Sequence, residues 1–278
     1  MPSVNKSEEI RLFAGLRRAF MRFINGVRDG DDAEKIQRKA REFIESKEHD
    51  SFITSLVKSV TQKIRRNSQR SWRQAASKGS NGRKMYNMVT NEMNGPLGNR
   101  VWEIIADNVA YIKTVPQEWA DYITKYAARE ALKGRRPDEV EAELRKIMPE
   151  HMTKNLKCIA RTECAKANAA IEQARAEMCG IRCYFWRCVK DERVRDSHAD
   201  MDGILIFYDD PPNPEALFPQ KGTKPYGNYH AGNTFNCRCY QEPVVDDMFL
   251  PDIFRYHDHG KIINITKGAF LKRFGKIA

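Results

Sequence analysis

Cys237 and Cys239 stand one residue apart, downstream of His198 and His230. On a strand, residues i and i+2 point the same way, so the two thiols share a face. With the two imidazoles they make a Cys2His2 set able to close a four-ligand shell around zinc. One structural zinc is thus the candidate cofactor, with His198, His230, Cys237 and Cys239 as its ligands. The spacing Cys-x-Cys is tighter than the usual Cys-x2-4-Cys knuckle, and buried thiols also pack as small hydrophobes, so both readings stand. Cys179, Cys183 and Cys188 are ligands by type, but their spacing fits a helix end followed by a strand. Glu163 and Asp191 are an acid/base pair by type. With no nucleophile signature or phosphate-cradling glycine loop beside them, they read better as members of an ion-pair network with Arg161, Arg193 and Arg195.

A different chemistry lies upstream. The stretch 51–91 contains no acidic residue, while Lys58, Lys63, Arg65, Arg66, Arg70, Arg73, Lys78, Arg83 and Lys84 supply nine positive charges. The whole chain of 278 residues carries +11, so much of its basicity is local. Such a run repels itself and is favourable beside a polyanion, where neutralised phosphates release counterions. An acidic protein surface would serve as well, and a solvated helical face is the plain alternative.

Helices must position these groups through the first half. Phe13, Leu16, Phe20, Phe23 and Val27 step by three and four, and Ile36, Ala40, Phe43 and Ile44 repeat the stripe. Phe52, Ile53, Leu56, Val57, Val60 and Ile64 carry it into the basic run, which must break at Lys78-Gly79-Ser80-Asn81-Gly82. Asn94-Gly95-Pro96-Leu97-Gly98 is the next breaker, and Val115-Pro116 restarts a helix. Another opens at Arg136-Pro137-Asp138-Glu139, with proline at the first helical position. The longest helix is expected from Pro149 to Met178, stopped by Gly180.

Then the period changes. Residues 182–189, 204–208 and 237–245 read as three strands. About 28 residues rich in Pro, Gly and Asn, from Asp209 to Asn236, separate the last two. A loop of that length in a compact domain needs an anchor or a function. The fold class is α+β: a mainly helical N-terminal region, 1–148, then a small α/β module, 149–245, with a long helix and a short antiparallel sheet. A basic tail follows over 246–278.

The longest apolar runs are a few residues, which excludes a membrane-spanning helix. The N-terminus has acids where a signal peptide would be basic, so synthesis and retention in a cytoplasm are expected. Seven cysteines without a regular framework point to free thiols or a metal.

Three pieces occur in order: Arg161-Thr162-Glu163 on the long helix, Trp186 followed by Asp191-x-x-x-Arg195-x-x-His198 and Gly203, then Asn236-Cys237-Arg238-Cys239. This order resembles the phage minor head proteins of the phage Mu protein F type, the head morphogenesis family, over about residues 150–245. Many members carry His-Pro just before Asn-Cys-Arg-Cys. Here Thr234-Phe235 stands there, and the histidine, His230, lies seven residues before Cys237.

The resemblance implies a non-enzymatic minor capsid protein of a tailed phage or prophage. It would sit in the capsid interior or near the portal and act in assembly, DNA packaging and delivery. Its partners would be the portal protein, other capsid or scaffold proteins and double-stranded DNA. Arg161, Glu163, Trp186, Asp191, Arg195, His198 and Gly203 would then hold the module together, and the nine basic residues of 51–91 would face DNA or portal. The alternative is a metal-dependent, HNH-like nuclease built on His230, Asn233 and Asn236. That site wants a second histidine on a helix soon after, where this chain has Cys237-Arg238-Cys239, and His257 and His259 come too late. A host DNA-binding protein is the third reading.

Overall fold

The computed structural model describes residues 6–28, 31–78, 82–190 and 192–277. Its helices are α1 (Lys6–Gly26), α2 (Ala33–Glu45), α3 (Lys47–Ala76), α4 (Gly82–Thr90), α5 (Pro96–Leu132) and α6 (Pro137–Cys179). Strand β1 (Cys183–Arg187), α7 (Asp196–Asp200), β2 (Ile204–Phe207), α8 (Pro214–Leu217), β3 (Tyr240–Pro243), β4 (Ile253–Asp258), β5 (Lys261–Thr266) and α9 (Lys267–Phe274) follow. The fold is α+β, and it divides into two compact units.

One unit comprises 7–60 and 105–160 and is helical. Phe20 meets Trp119 edge to face at 5.1 Å, and both are buried with Phe23, Ile53, Val57 and Ile112. The helix expected to restart at Pro116 is instead continuous through it. A mid-helix proline costs about 3 kcal/mol. Ile112, Val115, Trp119 and Ala120 are nevertheless all buried, and burial of that stripe outweighs the missing hydrogen bond. The longest helix likewise begins at Pro137 and not at 149, because Val140, Leu144, Met152 and Leu156 continue one buried stripe at spacings of four and eight.

The other unit includes 61–104 and 161–278. Its sheet has the order β3-β1-β2-β4-β5. Pairings β1–β2, β1–β3 and β4–β5 are antiparallel, whereas β2–β4 is parallel, so the sheet is mixed where a short antiparallel one was expected. The difference comes from 246–278, which does not behave as a tail. Phe254 and Tyr256 are buried at alternate positions of β4, and Phe270 of α9 is fully buried against that face. Counting charge concealed this period-2 pattern.

Alternation along β1 sorts the side chains. Cys183 and Phe185 join Leu205, Phe207 and Phe270 on one face. Tyr184 and Trp186, with Cys188 just beyond the strand, join Ile204, Ile206, Tyr229, Cys237 and Cys239 on the other. Cys183 and Cys188 are five residues apart and therefore face opposite ways, so the trio with Cys179 is not a site.

Candidate functional site

The loop expected between Asp209 and Asn236 contains the one-turn α8 and returns under the sheet at Tyr229-His230-Ala231. Asn236 caps its return in the left-handed region, φ 54°, which asparagine tolerates better than most residues. Its backbone N–H donates to Thr162 Oγ1 at 2.9 Å, and Arg161 Nη1 donates to Asn236 Oδ1 at 2.7 Å. Arg195 Nη2 donates to the Phe235 carbonyl at 2.8 Å and lies 5.1 Å over the Tyr226 ring. The arginines of the motif thus hold the Asn-Cys-Arg-Cys loop by hydrogen bonds.

Glu163 is buried and its carboxyl is held above the usual range by desolvation, with Lys166 Nζ at 3.4 Å. Asp191 lies outside the described residues. The expected alternating network is therefore seen, among the described residues, as two arginine anchors and one glutamate–lysine contact.

Beneath that loop His198, Cys237 and Cys239 converge, their ligand atoms within 4.8 Å of one another, and Cys188 Sγ beside them donates to the His198 carbonyl at 2.7 Å. His198 Nδ1 lies 3.5 Å from Cys237 Sγ and 3.4 Å from Cys239 Sγ. Cys188 Sγ is 3.3 Å from Cys239 Sγ, and Cys188 N–H donates to Asp202 Oδ1 at 2.9 Å. The Cys239 N–H donates to Cys237 Sγ at 3.4 Å. A hydrogen bond from Cys239 holds the Cys237 thiol well below its ordinary value, while Cys239, crowded by Cys188 and Cys237, is pushed well above its own.

Trp186, fully buried, meets the His198 ring edge to face at 5.6 Å, and its carbonyl accepts from Gly203 N–H at 2.9 Å. On the far side of the imidazole, His198 Nε2 is 2.8 Å from Tyr229 Oη. Tyr229 donates in turn to the buried Glu215 carboxylate at 2.7 and 2.8 Å. Desolvation and Glu215 both raise the Tyr229 phenol.

His230, expected as the fourth ligand, is not in this group. Its Nδ1 is 3.1 Å from Tyr184 Oη, and burial lowers its pKa to about 4. Cys188, placed by sequence in the wrong trio, stands beside Cys239 instead. Of the nuclease-like set, His230 is turned onto Tyr184 and Asn236 is tied to α6. His257 Nδ1 lies 3.0 Å from Asp210 Oδ2, and the exposed His259 pairs with Asp258.

The basic run is sorted by α3. Thr61, Ile64, Ser68, Trp72 and Ala76 are its buried side, which leaves the exposed Arg66 and Arg70 and the half-buried Lys63 and Arg73 as a stripe on the other. Arg73 also lies 5.4 Å over the Tyr86 ring. Arg65 is not part of the stripe, because it donates to the buried Glu92 at 2.8 Å. Lys58, Lys78, Arg83 and Lys84 are exposed. Sequence reading missed the buried polar group alongside: Arg175 Nε donates to Glu92 Oε2 at 2.7 Å, and Glu172 accepts from Trp72 Nε1 at 2.5 Å and from Ser68. The signal was Glu172-x-x-Arg175 on the otherwise alanine-rich face of α6.

The class these features define is an α+β module whose long helix and five-stranded sheet grip one loop through Asn236 and a Cys/His cluster. Residues 121–242 match the family model described as Phage Mu protein F like protein. An uncharacterized protein of Haemophilus influenzae is 33% identical over 148 residues, covering 53% of this chain and 30% of its own length. The chain thus spans less than a third of that relative. No solved structure matches.

Proposed function

We propose that the chain is a head morphogenesis (minor capsid) protein of a tailed phage or prophage, bound to portal and double-stranded DNA inside the head during assembly, packaging and delivery. The match of residues 121–242 to the phage Mu protein F-like family is the observation that carries this reading. The stripe of Lys63, Arg66, Arg70 and Arg73 supports an anionic partner, because four cations at helical spacing can each neutralise a phosphate. The module supplies rigidity and the stripe supplies attraction. No described helix is long and apolar enough to cross a membrane. Other capsid or scaffold proteins are further partners, and the virion is the expected location.

Co-expression with a portal protein of the same phage or prophage, followed by affinity purification at low and physiological salt, tests the proposal. Stoichiometric co-purification, weakened when the four stripe residues become Gln, is expected. Absence of the chain from both portal complexes and purified particles would overturn it.

A further inference from the structure

We propose that the module holds one structural zinc ion through Cys237 Sγ, Cys239 Sγ and His198 Nδ1, with Cys188 Sγ, which here donates to the His198 carbonyl at 2.7 Å, turning in as the fourth ligand. The argument begins at Glu215, a buried carboxylate whose side chain is 0% exposed. An ionised carboxylate only accepts hydrogen bonds, so the single phenolic proton of Tyr229 goes to Glu215. The Tyr229 oxygen must then accept from His198, which places the imidazole proton on Nε2. Nδ1 is left with its lone pair, and that lone pair faces Cys237 and Cys239. A carboxylate, here relayed by a phenol, behind the remote nitrogen of a histidine is the arrangement that orients metal-bound imidazoles and raises their basicity.

The distances agree. With Zn–S of about 2.3 Å and Zn–N of about 2.0–2.1 Å, tetrahedral geometry puts N and S about 3.6 Å apart and two sulfurs about 3.8 Å apart. The N···S separations are 3.4 and 3.5 Å, so His198, Cys237 and Cys239 already stand near ligand spacing, while Cys188 Sγ, 3.3 Å from Cys239 Sγ but outside that group, reaches the ion by turning off the His198 carbonyl. Three sulfurs and one imidazole select a soft or borderline cation over Mg2+ or Ca2+. The Cys239 N–H on Cys237 Sγ stabilises a thiolate. On binding, the coordinating thiols lose their protons to solvent. Four protein ligands leave no open position, so the ion clamps and does not hydrolyse. It would join the end of β1, α7 and the Asn-Cys-Arg-Cys turn, three segments otherwise linked by a long irregular loop.

The full chain, purified without added metal, is analysed for zinc and for free thiols. It is then stripped and titrated with Co2+. About one zinc per chain, with thiolate-to-cobalt charge transfer and the visible bands of tetrahedral Co2+, is the expected result. Cys188→Ala should weaken metal affinity at least tenfold, whereas His230→Gln should leave the stoichiometry unchanged. Zinc-free folded protein that neither retains nor takes up the ion overturns the proposal, as does a Cys188–Cys239 disulfide found by mass spectrometry. Unaltered affinity in Cys188→Ala, or an octahedral Co2+ spectrum, also overturns the ligand set. These readouts need no phage partner, so they fail or succeed independently of the proposed function.

Discussion

Arg161 Nη1 donates to Asn236 Oδ1 at 2.7 Å across 75 positions of chain, and this contact joins the first and last pieces of the sequence motif. Asn236 is where the long loop turns left-handed, and the bond fixes that turn to α6 beside Thr162. A charge-assisted hydrogen bond of this kind contributes roughly 1.5–3 kcal/mol. Arg161→Met should therefore loosen the loop before it unfolds the module. Limited proteolysis should cut the variant within 209–236 at protease levels the parent resists. Equal resistance would show that Thr162 and the cysteines suffice.

The buried pair Arg175–Glu92 differs from its neighbour Arg65–Glu92 in solvent access. Arg175 is 0% exposed at the side chain and Arg65 is 14% exposed. A guanidinium that can turn towards water loses less when its partner goes. Arg65→Gln should cost about 1 kcal/mol or less, whereas Arg175→Gln, which leaves the buried Glu92 with Arg65 alone and takes the donor from Ser68 Oγ, should cost about 3–5 kcal/mol. Denaturant melts decide it, and equal losses would contradict the difference in burial.

His230 makes stability depend on pH. Its folded pKa is about 4 against an ordinary 6.5, because burial against Tyr184 and Tyr208 penalises the charged ring. Between those values the unfolded chain binds a proton that the folded chain does not, so stability is full above about pH 6.5 and falls as pH drops towards 4. The loss is about 3 kcal/mol over that window. Unfolding free energies at pH 7 and 4.5 should show a shallower fall in His230→Gln than in the parent. Identical slopes would remove His230 from the account.

Gly232 lies at φ +85°, and a Cβ there would stand 3.1 Å from the Cys239 carbonyl oxygen and 3.4 Å from Ala169 Cβ. Both the backbone region and the space favour glycine. Gly232→Ala should lower stability by about 1–3 kcal/mol and, by displacing Cys239, disturb the Cys/His cluster. Calorimetry paired with thiol accessibility reads both effects, and a silent substitution would mean that the loop relaxes freely.

These positions mark the limit of what the sequence discloses. The grouping of Cys237, Cys239 and His198 was legible from residue type, although the two thiols lie in the segment just before β3 and not on the strand expected over 237–245. The turning of His230 away from that group, onto Tyr184, was not legible. It depends on which face of β1 is closed by Tyr229, a matter of packing between segments forty residues apart. The helical stripes were legible throughout, yet Pro116 concealed the continuity of α5 because local chemistry and tertiary burial disagree there. The basic composition of 246–278 hid two strands whose alternate residues are apolar. Arg175 and Glu172 escaped notice because charges on a buried helix face look like solvated ones until the partner helix is in place.

The stripe on α3 separates bound from available charge. Arg65 is committed to Glu92, while Lys63, Arg66, Arg70 and Arg73 follow the spacing of one face. If DNA is the partner, each phosphate neutralised contributes about −0.9 to the slope of log K against log salt, so these four account for up to about −3.6. Changing the four to Gln should flatten the slope by most of that amount and weaken binding without regard to DNA sequence. Arg65→Gln should leave the slope unaltered, since its guanidinium already has a carboxylate. Fluorescence anisotropy with a random duplex, read from low to physiological salt, measures both. A parent slope near zero would reject DNA as the partner of this face, and the same variants in portal pull-downs would then report whether an acidic protein surface takes its place.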